Sequence, residues 1–294
     1  MYIRKDKCVL YHIVYIMERP ICINLVVCYN NEDELFKYAD NLSRLNGNEL
    51  LSLVVNINSL CKYTFEEFTV ELTKRFRNVH VYSSGKNLGY LNGMLYAGRC
   101  VEQSEEIDLS NCKYVIMSNT DIVFEDYDFF SKLLGKEYDS HVAVIGPCVI
   151  NGTDRTYGNP QYIQRYTKKS LDRRIFVFSH PYVSFFYFKL AKLKAKKLKN
   201  VRAESGNVYS CHGCFFILKK EFFDILKKYE YGCLMYSEEA YVAEYARIYG
   251  YKEYYDSTLE VIHAESTTTS LLGNKKKSKM FAESLIYIKN KFFE

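Results

Sequence analysis

The chain has 294 residues, 48% hydrophobic and 26% charged, with a formal charge of +5. That length can bury a substantial core, as one large α/β domain with an appendage or as two small domains. The composition excludes a disordered chain, and no run of about twenty apolar residues suggests a spanning helix.

Met1–Lys7 is basic and Cys8–Met17 mostly apolar, as in the first two parts of a signal peptide, but no small-residue cleavage site follows. An extra strand, an interfacial anchor or an overextended start upstream of Met17 fits this N-terminal extension, residues 1–20, better. Ile21–Tyr29 is a compact apolar run expected to form a buried strand. Leu35, Ala39, Leu42 and Leu45 recur at helical spacing and predict a helix over 32–45. Leu50–Ile57 is the second expected strand, Phe65–Phe76 the second helix and Val79–Tyr82 the third strand. A helix is expected from Tyr90 to Val101, then strands at Tyr114–Met117 and Val142–Ile145. This alternation implies right-handed crossovers and a mainly parallel sheet. Ligands bind such sheets beyond the carboxyl ends of the strands, here the turns after Tyr29, Ile57, Tyr82 and Met117.

Beyond Pro147, residues 151–172 read as loop and 173–200 as an aromatic, then basic, helical excursion. Lys189 to Arg202 holds seven basic residues and no acid. Such a cluster suits a lipid-linked acceptor, an anionic membrane surface or nucleic acid, and equally a solvated helix face. Val208–Leu218 is expected as a buried strand, which makes Cys211 and Cys214 buried thiols rather than a zinc or redox pair. The ten cysteines form no regular framework, which argues for a reducing, cytoplasmic setting. Helices are expected near Lys220–Tyr229 and over Glu239–Tyr249, with Gly250 as the stop.

Three places carry chemistry. Asp121, in the turn Ser118-Asn119-Thr120-Asp121, sits where a carboxylate at a strand end can hold Mg²⁺ or Mn²⁺ against a diphosphate. Glu238 and Glu239 open a helix, where acids also serve as simple caps, yet a Glu is a competent general base. His263 ends an apolar strand and precedes the polar run 265–270, a position suited to a diphosphate or metal.

Taken in order, four blocks resemble the family 2 glycosyltransferases of the GT-A fold, particularly the bacterial rhamnosyltransferase-like branch. Val26-Val27-Cys28-Tyr29-Asn30 resembles the opening strand, and Asn87-Leu88-Gly89-Tyr90-Leu91-Asn92-Gly93 with Gly98 resembles the N-x-G-x-x-x-G block. Asn119-Thr120-Asp121 stands at the N-P-D or D-x-D site. Glu238-Glu239 through Arg247 and Gly250-Tyr251, followed by His263, resembles the E-D-x-D-L block. The family base, an Asp, is Glu239 here; the second Asp is Tyr241; the nucleobase-holding Asp at the end of the second strand is Asn56.

The resemblance implies a single catalytic domain built on a mainly parallel sheet flanked by helices. Residues 21–150 would bind a nucleoside-diphosphate sugar of UDP or dTDP type. Residues 151–270 would supply the base and acceptor side, and 271–294 a helical tail. Tyr29, Asn30, Asn56, Asn87, Gly89, Tyr90, Gly93 and Asn119 would contact the donor, and Asp121 with His263 would hold the metal. Glu239 would be the base, with Glu238 next in line, in an inverting displacement toward a saccharide or lipid-linked saccharide. Peripheral contact with the inner face of the cell membrane is expected from residues 173–202, and no nucleic acid. A sugar-phosphate nucleotidyltransferase would need a Gly- and Arg-containing loop where this chain has Asn30-Asn31-Glu32-Asp33-Glu34. The rival from another class is a non-catalytic sugar- or nucleotide-binding relative.

Overall fold

Four strands, β1 (Cys22–Tyr29), β2 (Leu51–Ser59), β3 (Val79–Ser83) and β4 (Tyr114–Ser118), alternate with helices α1 (Glu32–Leu42), α2 (Phe65–Thr73) and α3 (Tyr90–Ser104). They come from a computed structural model that describes residues 22–104, 106–180, 182–187, 190, 201–264 and 274–293. β1 pairs in parallel with both β2 and β4, and β2 with β3. Six of its eight residues are buried, as expected of a strand covered on both faces.

The remaining elements are β5 (Ile122–Val123), α4 (Phe129–Leu134), β6 (Val142–Asn151), α5 (Lys168–Ser179), β7 (Gly206–Val208) and β8 (Phe215–Lys219). After them come α6 (Lys220–Leu226), α7 (Glu238–Ile248), β9 (Lys252–His263) and α8 (Asn274–Phe292). One mixed sheet runs β3-β2-β1-β4-β8-β6-β9-β5, with β7 also on β9. β8 is antiparallel to β4 and β6, whereas β6 and β9 are parallel. One apolar core, with Leu91, Met94, Phe222, Phe223, Tyr241 and Leu285, joins α3, α6, α7 and α8 to the sheet. A second, with Leu35, Phe36, Phe68, Phe129 and Phe215, joins α1, α2 and α4 to it.

Several boundaries differ from expectation. α1 ends at Leu42 because the chain then tightens into a turn (Leu45 N–H to Leu42 O, 3.1 Å) and reverses at Gly47, φ 82°. α2 also stops early, at Thr73 rather than Phe76. β6 extends to Asn151, six residues past the apolar run, because β9 pairs with it up to His263.

The expected strand Val208–Leu218 is two strands separated by a turn. Ser210 to His212 bond to the 159–162 loop and to Glu253 instead of continuing a ladder. The Cys-x-x-Cys pair therefore lies on that turn, with both thiols buried and free as expected. Residues 1–21, Lys189, Lys192–Lys199 and the polar run 265–270 lie outside the described residues. No described helix is long and apolar enough to cross a membrane.

Candidate active site

A cleft of about 1290 Å³ opens beyond the carboxyl ends of β1, β2 and β4, with α8 as its far wall. On the strand side, Tyr29 lines it and is 43% exposed. Asn30 takes a left-handed backbone, φ 55°, and its N–H bonds to Ser59 O at 3.0 Å. The next residue, Asn31, ties two turns together: its Oδ1 accepts the Tyr29 N–H at 2.8 Å, and its Nδ2 donates to Thr120 at 2.6 Å.

Asn87 Oδ1 accepts the Gly89 N–H at 2.9 Å and sets the entry to α3. Gly89 has φ 81°, and a Cβ there would stand 2.4 Å from Leu234 O. Only glycine meets both conditions. The Tyr90 N–H bonds to that same carbonyl at 2.9 Å, and the Tyr90 hydroxyl reaches Gly213 O at 2.9 Å. Burial pushes the Tyr90 phenol well above its usual range, so it acts as a neutral donor. Gly93 lets α3 lie on the strand ends, since a Cβ would be 2.7 Å from Val27 and 3.0 Å from Asn56 Nδ2.

Asn56 is fully buried and does not line the cleft. β2 runs on to Ser59, so the wall position falls one pleat later, on Asn58. Asn56 Nδ2 donates to Asn58 Oδ1 at 2.8 Å, which also accepts the Leu88 N–H at 3.1 Å.

The metal candidates are far apart in sequence and are joined by strand pairing. β5 follows Asp121 directly and pairs antiparallel with the end of β9, Ile122 opposite His263. The Ala264 N–H closes this on Asp121 O at 2.9 Å. The pairing brings Asp121 Oδ2 to 3.3 Å from His263 Nε2, with Asn119 Nδ2 3.4 Å from the same nitrogen. Beneath, the Tyr38 hydroxyl bridges Asn24 and Ser118 and fixes the end of β4. A carboxylate and an imidazole at a cleft wall suit Mn²⁺ or Mg²⁺, whose other positions would go to water and phosphate oxygens. Among the described residues no three His, Cys, Asp or Glu side chains form a complete cage, so an ion here would share its shell with a ligand.

Glu238 and Glu239 begin α7 after two left-handed residues, Tyr236 (φ 71°) and Ser237 (φ 60°). Such backbone costs about 1–3 kcal/mol per residue and persists only where neighbours enforce it. Here the Tyr231 hydroxyl holds Tyr236 O, and Ser284 Oγ lies 2.9 Å from Ser237 Oγ. Glu238 is buried, and burial beside Glu239 pushes its carboxyl up to about 8. Burial raises Glu239 too, while Gln161 Nε2, donating at 3.3 Å to its Oε1, favours the ionised form. Neither Glu is among the residues lining the cleft.

The two ends meet at the turn between β7 and β8, where the sequence alone predicts a continuous strand. The His212 ring lies 5.8 Å from the His263 ring, and a Cβ on Gly213 would be 3.3 Å from Glu239 Oε2. His212 Nδ1 accepts the Cys214 N–H at 3.1 Å, which leaves the proton of the neutral ring on Nε2. The signal was present as a polar His-Gly pair interrupting an apolar run. Asn31, Asn58, Gln161 and the lysines of α8 were also missed.

No protein-family model matches the chain, and no curated protein does. Solved structures do. The mannosyltransferase PcManGT from Pyrobaculum calidifontis, in complex with GDP-Man and Mn²⁺, aligns at 12% identity and TM-score 0.52, over 85% of this chain and 59% of that one. GalNAc-T7 with UDP, GalNAc and Mn²⁺ aligns at 14% identity and TM-score 0.55, over 93% of this chain and 48% of that one. The chain thus spans between about half and three fifths of the length of each. At such identities the likeness is one of fold, and the fold is that of the GT-A glycosyltransferases.

Proposed function

We propose that the chain is an inverting glycosyltransferase, moving a sugar from a UDP- or dTDP-type donor to a hydroxyl of a glycan or lipid-linked saccharide. The observation that carries this reading is the meeting of Asp121 and His263 at 3.3 Å beside a large cleft, in a fold shared with nucleotide-sugar enzymes. Mn²⁺ or Mg²⁺ held by this pair would offset charge on the departing diphosphate. Tyr29, Asn58, Asn87 and Tyr90 would line the nucleotide side, with Asn119 orienting His263.

Glu239 is the base. Two adjacent carboxyls, Glu238 buried and Glu239 half-buried, do not both ionise readily near neutrality. Gln161 favours the charge on Glu239, which leaves the proton on Glu238. Glu239 takes the acceptor proton as the hydroxyl oxygen bonds to the anomeric carbon and the bond to the diphosphate breaks. The rhamnosyltransferase-like branch remains the reading of the motif blocks. Exposed Tyr182, Phe185 and Phe186 support peripheral contact with the inner face of the cell membrane.

A panel of nucleoside-diphosphate sugars, assayed by diphosphate release with Mn²⁺, Mg²⁺ or EDTA, tests the reading. Metal-dependent release from at least one pyrimidine donor is expected. No release from any donor, with every metal and a mixed glycan acceptor pool, would reject it.

A further inference from the structure

The C-terminal helix is more than a tail packed against the domain. Its buried face, with Ser278, Ala282, Leu285 and Ile288, closes on the body of the protein, and Ser278 Oγ donates to Phe178 O at 2.7 Å. The other face, Lys276, Met280, Glu283, Tyr287 and Asn290, recurs at steps of three and four residues and forms the cleft wall, with Lys277 beside it. Lys276 and Lys277 make no ion pair among the described residues, and their own helix places no acid three or four residues ahead. Lys279, which does not line the cleft, is the one near Glu283, at 3.8 Å.

The charge balance of the cleft gives this pair a task. Three carboxylates line it, Glu34, Asp121 and Glu283. A divalent cation offsets two of those charges, so without the lysines the lining would still repel a diphosphate. With both lysines the balance turns positive, and flexible ammonium groups reach phosphate oxygens as point charges.

We propose that Lys276 and Lys277 form a phosphate-binding arm of the cleft, supplied by the C-terminal helix. The inference rests on the glycosyltransferase reading for its choice of phosphate. Two sources share the chemistry: the diphosphate of the donor and a phosphate on the acceptor.

The test uses the full chain with Mn²⁺ and calorimetric titration. Lys276→Gln and Lys277→Gln are compared, singly and together, with Lys275→Gln, an exposed neighbour off the cleft wall. UDP is the first probe. An alkyl diphosphate is the second, with the corresponding uncharged alkyl glycoside as blank. The double variant is expected to melt like wild type and to weaken UDP binding about tenfold, an effect that shrinks as salt rises. Loss for the alkyl diphosphate alone would also support the arm and assign it to the acceptor. Unchanged binding of both probes, equal loss in Lys275→Gln, or no binding of either probe by wild type would overturn it. Wild type that binds UDP while the double variant binds both probes as well as wild type rejects the arm and leaves the donor site standing.

Discussion

Helix α7 carries buried carboxylates at two places, and they are treated in opposite ways. Glu244, fully buried, meets Arg165 through two hydrogen bonds of 2.6 and 2.9 Å, Arg247 at 3.0 Å and the Tyr209 hydroxyl at 2.9 Å. Arg165 also reaches Phe292 O and stacks over Phe293, so this carboxylate fastens the 161–167 loop and the C-terminus to the core. About a turn and a half earlier, Glu238 and Glu239 have no ion pair among the described residues and sit beside each other after a strained entry. A carboxylate that organises structure is surrounded by donors. A pair kept close, desolvated and without cations is poised to exchange a proton, which is what a base requires.

The largest effect should come from removing the proposed base. Glu239→Gln is expected to lower kcat about 10²- to 10⁴-fold while nucleotide affinity stays within about twofold, because the base acts on the acceptor. Parallel turnover and UDP titrations check this. Near-normal turnover would shift the role to Glu238. Since burial raises the Glu239 carboxyl, wild-type kcat should climb with pH above the ordinary carboxylate range.

Glu244→Gln should reverse the pattern. Gln keeps an acceptor for Tyr209 but loses the charge facing two partly exposed arginines. Chemical denaturation should show a loss of about 3 kcal/mol, with kcat per folded molecule unchanged. A variant equally stable but inactive would erase the distinction between the two ends of α7.

The smallest effect concerns Glu253, outside the cleft, which accepts the Cys211 N–H at 2.7 Å and is pushed by burial from 4.5 to about 8. The folded protein holds that proton between these values while the unfolded chain releases it, so stability falls as pH rises through this window. Glu253→Gln removes that slope. Its stability relative to wild type should therefore improve steadily from pH 5 to pH 9, by thermal melts. A difference independent of pH would show that Glu253 is ionised in the fold.

The first half of the sheet was legible because its signals are local. The apolar runs at 22–29, 51–57 and 114–117 and the Gly89 block lie where the expected strands and turn stand. Errors there amount to helix ends, where α1 and α2 stop at turns their periodicity does not show. The second half depends on partners distant in sequence. Val208–Leu218 looks like one strand until Asn159 and Glu253 claim its centre. His263 stood out, but its neighbour was settled by β5, a two-residue strand too short to carry a pattern. The apolar run ends at Ile57 and points to Asn56, while the ladder continues to Ser59 and sets Asn58 in the wall. The cleft face of α8 could not be read, since its lysines look like any solvated face until the wall they form is seen.

The most direct measurement of the proposed chemistry is the anomeric configuration of the first product, read by ¹H NMR before mutarotation or secondary hydrolysis. A single displacement, with Glu239 as the proposed base and the diphosphate near Asp121 and His263, gives the configuration opposite to the donor's. A product that retains the donor's configuration would contradict it and leave the Glu238–Glu239 pair without the role proposed here.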